Sequence, residues 1–338
     1  MKISIIGAGW YGCHIASSLL QAGHDVTIFE KSNSSISGAS KKNQNRLHLG
    51  FHYPRCHQTR MQSKEGFNWF IEHYEHLTRK INRNYYAVSS NDSLIDFDTF
   101  KIIMNGSGLD FKEKVKPNTF LNISNVIECD ERVIRNDLAS NYFNNILKDN
   151  IIFNTYVDLN NEDVIEALNN KYDYIIDCSW GTARKIEGLS YFYEPCIYFY
   201  YRKKSKEEEF ALTIMDGKHY SLYPYYDDIY TLTSVEHTPL GQYDHINDAL
   251  VKMAGCKNNN KLTREKQYLF EKEFSTFYPE FLECFEFVSC EFSLKTKIHS
   301  ATDFRGCIVQ KADQIISVFS GKIDTLHIAE KAIFEAIE

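Results

Sequence analysis

Within its first thirty residues the chain's apolar pattern predicts a strand, a tight turn, a helix and a second strand. Lys2 to Ile6 is a short apolar run, Trp10 to Gln21 carries helix formers, Gly23-His24 closes that helix, and Val26 to Glu30 is a second apolar run. These lengths and breaks suit a βαβ unit. A small, polar stretch from Ser32 to Asn45 follows, too long for a plain connection. Residues 57–77 bring Met61, Phe67, Phe70, Tyr74 and Leu77 near one helical face. From 84 to 128 the pattern predicts short strands and one helix near 97–105, and Arg135 to Leu147 predicts another helix. Ile151 to Val157 and Tyr172 to Cys178 read as strands. The second is nearly continuously apolar, as in a parallel sheet covered on both faces.

From 191 to 237 the texture changes. Tyr191–Arg202, Phe210–Met215, His219–Tyr225 and Ile229–Val235 are aromatic strands separated by turn signals such as Asp216-Gly217 and Asp227-Asp228, the signature of an antiparallel sheet. Residues 244–255 and 262–277 predict helices, Gln314 to Ser320 a strand and Ile323 to Ile337 a last helix. The fold class expected is therefore α/β: a Rossmann-like, discontinuous nucleotide-binding domain with an inserted antiparallel-sheet substrate domain. Residues 1–83, 129–190 and 296–338 are assigned to the first, 84–128 and 191–295 to the second. The total of 338 residues is enough for two such cores.

Composition narrows the function classes. The net charge of −7 argues against a nucleic-acid partner, because phosphate binding needs a basic face. No stretch is apolar enough to insert into a membrane. No basic leader with a small-residue cleavage site begins the chain, so a cytoplasmic location is expected. The nine cysteines are scattered without a CxxC pair or zinc spacing, so they read as reduced thiols and no metal is expected. Oligomeric state leaves no trace in the sequence.

The chemistry concentrates at Gly7-Ala8-Gly9-Trp10-Tyr11-Gly12, a G-x-G-x-x-G between the first strand and the first helix. Gly7 permits the tight turn, Gly9 lets a pyrophosphate approach the backbone, and Gly12 lets helix and strand pack. The helix start then offers free N–H groups to the phosphates. Glu30, followed by Lys31, ends the second strand, where an acid meets ribose hydroxyls and disfavours a 2′-phosphate. The fingerprint alone does not separate FAD from NAD.

Two further segments do separate them, through a family resemblance. Ser37-Gly38-Ala39-Ser40 through Asn45-Arg46-Leu47-His48-Leu49-Gly50-Phe51-His52-Tyr53 resembles the loop after the second strand in the D-amino-acid-oxidase-like FAD oxidoreductases. That group includes glycine-, sarcosine- and L-2-hydroxyglutarate-oxidising enzymes. Val318-Phe319-Ser320-Gly321-Lys322-Ile323-Asp324 resembles the family's last strand-to-helix turn. There, N–H groups face the flavin N1–C2=O edge and stabilise negative charge in the reduced ring. Asn154 to Val157 resembles the strand that brackets the adenine. Cys178-Ser179-Trp180-Gly181-Thr182 resembles the turn near the phosphates, with Trp180 departing from the usual small residue. The resemblance covers residues 1–60, 130–185 and 300–338. It implies FAD as cofactor, held by Gly7, Ala8, Gly9, Trp10, Tyr11, Gly12, Glu30, Lys31, Ser40, Asn45, Arg46, Leu47, Val157, Ser179, Trp180, Gly181, Arg305, Gly321, Lys322 and Ile323.

Candidate catalytic residues are His48 and His52 in the flavin-proximal loop, for proton transfer, and Arg305, where the family often has a basic residue. Substrate contact above the ring, a covalent flavin anchor and a plain backbone hydrogen bond stay open for each histidine. Arg46, Tyr53, Tyr223 and Arg202 are candidate substrate contacts, Arg by a bidentate fork. Arg202 also begins the run Arg-Lys-Lys-Ser-Lys-Glu-Glu-Glu, as a solvated hairpin end would, and Arg55 reads as a surface residue. Tyr220, Tyr223 and Tyr225 are expected to share one face, lining the pocket or packing the core. As a cation at the last helix start, Lys322 opposes the helix dipole, so a flavin contact explains it better than helix stability. The expected reaction is hydride removal from a C–H beside an amine or hydroxyl of a small polar substrate, with an anionic group as one option. A non-redox flavoenzyme resembling the UDP-galactopyranose mutases, an NAD-dependent dehydrogenase and a non-catalytic flavoprotein stay open.

Overall fold

In the computed structural model, residues 1–204, 208–217, 219–300 and 305–338 are described. The βαβ start nucleates a six-stranded sheet in the order Ile308–Ala312, Ile315–Phe319, Tyr174–Asp177, Lys2–Ile6, Asp25–Phe29, Ile151–Ile152. Every neighbouring pair is parallel except Ile308–Ala312, which folds back as a hairpin on Ile315–Phe319. Both faces are covered, which is why these strands read as continuous apolar runs. Ile3, Ile5, Ile28, Ile176 and Ile316 pack beneath helices Trp10–Gln21 and Leu326–Ile337. Ile6, Ile175 and Ile315 face Val157, Leu159 and helix Glu162–Asn169.

A second sheet has eight strands: Phe285–Ile298, Tyr191–Lys203, Ile229–Ser234, Tyr220–Pro224, Phe210–Met215, Arg83–Ser89, Ile123–Glu128 and Lys112–Lys114. It is antiparallel except where Phe210–Met215 runs parallel to Arg83–Ser89. One face is an aromatic core, in which Phe199, Tyr201, Leu212 and Leu222 meet Phe270 and Phe274 of helix Asn260–Phe274. The opposite face carries Thr213, Ser221, Glu194, Tyr198 and Lys295, which line a cavity. A small sheet, Arg46–Leu47, Arg132–Ile134 and Thr78–Lys80, lies at the junction of the two large ones.

Several expectations change. Tyr220 does not share a face with Tyr223: a separation of three puts strand residues on opposite faces. Tyr220 joins the helix-covered cluster, while Tyr223 packs with Val133 and Ala211. The strand expected over Ile151–Val157 ends at Ile152, because Asn154 turns the chain at φ 54°. Helix Glu162–Asn169, capped by Asn161 accepting from the Asp163 and Val164 N–H groups, is an element the pattern did not predict. Neither is Phe285–Ile298, the edge strand that pairs with almost the whole of Tyr191–Lys203. The last helix begins at Leu326, after a 3-10 turn at Ile323–Thr325.

Candidate active site

The glycine turn is built on backbone proximity. Gly7 adopts φ +99°, a conformation that favours glycine, and a Cβ on Gly12 would sit 1.9 Å from the Gly7 carbonyl oxygen. Gly9 caps the helix with no side-chain partner, and a Cβ there would come within 3.1 Å of Ser40 Oγ. The buried Glu30 carboxylate braces the turn: Oε2 accepts the Ala8 N–H at 2.7 Å and Oε1 the Ser32 N–H at 2.8 Å. Trp10 turns its ring into the core against Phe70 and Phe143 and donates from Nε1 to Asn136 at 2.7 Å. Asn136 in turn donates to the Ser40 carbonyl and to Asn45 Oδ1, fixing the polar loop over the helix start. Tyr11 reaches across to the last turn, donating to the Lys322 carbonyl at 2.5 Å.

That last turn is tightly packed. A Cβ on Gly321 would lie 2.5 Å from the Trp180 ring, so the bulky residue at 180 has its space from the missing side chain at 321. Gly66, in helix His57–Tyr74, lets the turn in on its other side, since a Cβ there would overlap the Asp324 carbonyl. Lys322 is buried, with Nζ 2.9 Å from Tyr53 OH and 3.0 Å from Asp324 Oδ2. Burial works against its charge, but Asp324 and Tyr53 outweigh that and raise its pKa. The structure thus gives Lys322 two protein partners beside the expected flavin.

His48, His52 and Tyr53 form one aromatic group with ring centroids 5.4–5.7 Å apart, and all three line the cavity. Burial pushes both imidazoles down, His52 well below its usual value, so both are neutral at pH 7. Behind them Arg46 is enclosed: it donates to Thr213 at 2.6 Å and Ser221 at 2.8 Å and stacks 3.9 Å from the Tyr223 ring. Glu131, fully buried, accepts from the Leu49 N–H and Tyr86 OH. Burial raises its pKa, but His48, Arg46 and Tyr86 more than compensate and bring it to about 2.

The cavity, about 520 Å3, runs from Tyr11, Ser40 and Trp180 past the histidines to the polar face of the larger sheet. There Lys295 and Lys297 alternate on Phe285–Ile298, with Lys295 opposite Glu194 of the neighbouring strand, which also carries Tyr198. Lys297 pairs with Glu194, while Lys295 lies over the Tyr198 ring at 5.4 Å. Burial opposes the Lys295 cation, and Tyr198, Cys196 and Glu194 offset it, so its pKa is raised. Burial and then Lys295 lower the pKa of Lys297, and Arg305, half-buried on the same wall, adds to that. Residues 301–304, which precede Arg305, lie outside the described residues.

The candidates thus divide. Trp10, Tyr11, Ser40, Arg46, His48, His52, Tyr53, Trp180, Arg305, Gly321, Lys322 and Ile323 border one cavity. Arg202 does not: it lies at the far strand end, half-exposed, paired with Asp228 and Glu286. Tyr223 is beneath Arg46 with its OH on the Arg132 carbonyl, and Thr213 and Ser221 take both Arg46 Nη2 hydrogens that a bidentate substrate fork would need, while Nε–H has no hydrogen-bond partner. Leu47 and Val157 point into apolar clusters, and Lys31 is exposed. Ser179 Oγ caps its own turn, accepting from Thr182 and Ala183, and the Gly181 carbonyl accepts from Tyr193. Arg55 is half-exposed at the cavity rim, donating to Asp216 at 2.8 Å. The sequence reading missed Glu131, Asn136, Lys295 and Lys297. Only the last two left a legible trace, in the Ser293-x-Lys295-x-Lys297 alternation. Among the described residues no group of His, Cys, Asp or Glu is placed to hold a metal, and no helix is long and apolar enough to cross a membrane.

The donor set fits a flavin dinucleotide. The glycine cradle and a helix start whose N-cap, Gly9, has no side chain suit a pyrophosphate, and Trp180 Nε1 is a buried donor at the cavity wall with no protein partner. Comparisons with known proteins agree. Residues 2–98 match the family of FAD-dependent oxidoreductases of the D-amino-acid-oxidase type. A Fusarium mangiferae protein named FAD-dependent monooxygenase FPY4 is 37% identical over 341 residues, covering 100% of this chain and 91% of that one. Glycine oxidase from Geobacillus kaustophilus superposes with a TM-score of 0.70 at 11% identity, covering 98% of this chain and 93% of that one. L-alpha-glycerophosphate oxidase from Mycoplasma pneumoniae, solved with FAD bound, gives 0.71 at 15% identity, with 99% and 93% covered. With its glycine turn, its last strand-to-helix turn and a full-length relative in agreement, the chain belongs to the D-amino-acid-oxidase-like family of FAD-dependent oxidoreductases, enzymes that use FAD as cofactor.

Proposed function

We propose that this enzyme oxidises a C–H bond beside an amine or hydroxyl of a small polar substrate bearing an anionic group. Bound FAD supplies the hydride acceptor. The division of labour follows the two sheets: the six-stranded side, with the glycine turn, Glu30, Ser40 and the Gly321-Lys322-Ile323 turn, holds the cofactor, and the eight-stranded side holds the substrate. The observation that carries the reading is one cavity lined both by two neutral imidazoles, His48 and His52, and by the half-buried cation Lys295. A neutral imidazole can take the proton of an amine or hydroxyl. A half-buried cation facing a carboxylate or phosphate fixes one end of the substrate.

The test is anaerobic mixing of the holoenzyme with amino acids, 2-hydroxy acids and polyol phosphates, followed at the flavin absorption bands. Bleaching by anionic members, with colour restored by oxygen, is the expected result. No bleaching by any member overturns the reading. The Fusarium relative's name favours a second reading, oxygen insertion. In that case a separate reductant bleaches the flavin, and label from 18O2 enters the product.

A further inference from the structure

Behind the cavity wall is a carboxylate to which the reading above gives no part. Glu131 is fully buried. Its Oε1 accepts the Leu49 N–H at 2.8 Å, its Oε2 accepts Tyr86 OH at 2.7 Å, and Arg46 Nε lies 3.9 Å from Oε2. His48 Nδ1 is 3.7 Å from Oε1, and it is buried with no hydrogen-bond partner. That separation is too long for a hydrogen bond, so the contact is electrostatic. The rest of the His48 ring is partly exposed and lines the cavity.

A neutral imidazole carries one proton, and its second-nitrogen environment decides where. A buried anion beside Nδ1 favours N–H over a lone pair at that atom. Nε2 is then left as the acceptor. Other charges around His48 work the opposite way: Arg46 and Lys322 disfavour an imidazolium, and His52 and Tyr53 are uncharged neighbours. Glu131 is the group that offsets these two cations.

We propose that Glu131 is a positioning residue that holds His48 as its Nδ1–H tautomer, so that Nε2 receives the proton released from the substrate's amine or hydroxyl. This rests on the reaction proposed above. As the substrate N–H or O–H bond breaks, its electron pair becomes the second bond of the new C=N or C=O. The proton goes to Nε2, the hydrogen of the adjacent C–H leaves with its electron pair to FAD, and the Glu131 carboxylate stabilises the imidazolium formed.

The test begins with the wild-type holoenzyme labelled with 15N in its histidine side chains, His48 being assigned against His48→Gln. The expected spectrum at pH 8 shows Nδ1 protonated and Nε2 bare. In Glu131→Gln the preference is lost, kcat/KM for the fastest-reducing compound of the panel falls about 10²-fold, and the acid limb of its pH profile moves down, because the anion that raises the His48 pKa is gone. Glu131→Asp restores part of the rate. A proton on Nε2 in the wild type overturns the inference, as does a Glu131→Gln enzyme with unchanged kcat/KM and pH profile. If Glu131→Gln does not fold, the wild-type tautomer decides. If no compound reduces the flavin, the reaction fails while the tautomer still tests Glu131.

Discussion

Arg46 and Lys295 border the same cavity, yet Arg46 is buried and Lys295 only half-buried, and their surroundings differ. Arg46 is enclosed: Tyr86, Thr213 and Ser221 accept from its guanidinium, Tyr223 stacks on it and Glu131 lies 3.9 Å from Nε, and together they tie the polar loop to the larger sheet. Lys295 faces Tyr198 and Ser293, whose hydroxyls are buried with no hydrogen-bond partner. Burying a charge is costly unless its partners are supplied. At Arg46 the fold supplies all but a hydrogen-bond acceptor for Nε–H; around Lys295 two hydroxyls are left over for a ligand. The contrast teaches that a cation is a better substrate candidate when its surroundings are incomplete than when they are nearly full.

The comparison can be broken most severely at Arg46. Arg46→Met strands Glu131 as an unpaired buried anion and is expected to cost about 3–5 kcal/mol, read as a fall in denaturation midpoint. Next is the cofactor side, where Gly12→Ala forces a Cβ onto the Gly7 carbonyl. The expected result is a loss of about 3 kcal/mol and protein that purifies without flavin colour. Acid gives an effect of similar size. Glu131 titrates at about 2 in the folded chain against 4.5 unfolded. Its contribution of about 3 kcal/mol is present above pH 4.5 and lost as pH falls towards 2. A Glu131→Gln chain should lack that part of the stability slope. The depressed His48 and His52 make stability rise with pH in the window just below 6.5, where the unfolded chain takes up protons first.

Lys295→Met sharpens the other half. It is expected to lower kcat/KM for anionic compounds about 10²-fold, with stability within about 1 kcal/mol of wild type. Equal losses on neutral and anionic compounds would remove Lys295 from substrate binding. At the small end, Arg202→Ala should change stability by less than about 0.5 kcal/mol and leave kinetics alone. A raised KM there would restore the expectation that Arg202 binds substrate.

Sequence alone determined the parts whose geometry is local. The glycine turn, Glu30 and the first helix lie within thirty residues, and each glycine's task follows from its own backbone. The last strand-to-helix turn was legible for the same reason, and its resemblance to a family carried the cofactor. Period-two alternation located the aromatic strands, and the spacing of three between Tyr220 and Tyr223 places them on opposite faces. Tertiary structure decided which charges are satisfied. Arg46 meets Ser221 across 175 residues, and His48 meets Glu131 across 83. Phe285–Ile298 becomes a strand by pairing with Tyr191–Lys203. Whether a buried Arg, Lys or Glu is structural or open to a ligand depends on partners brought by chain crossings, and one-dimensional spacing does not record them.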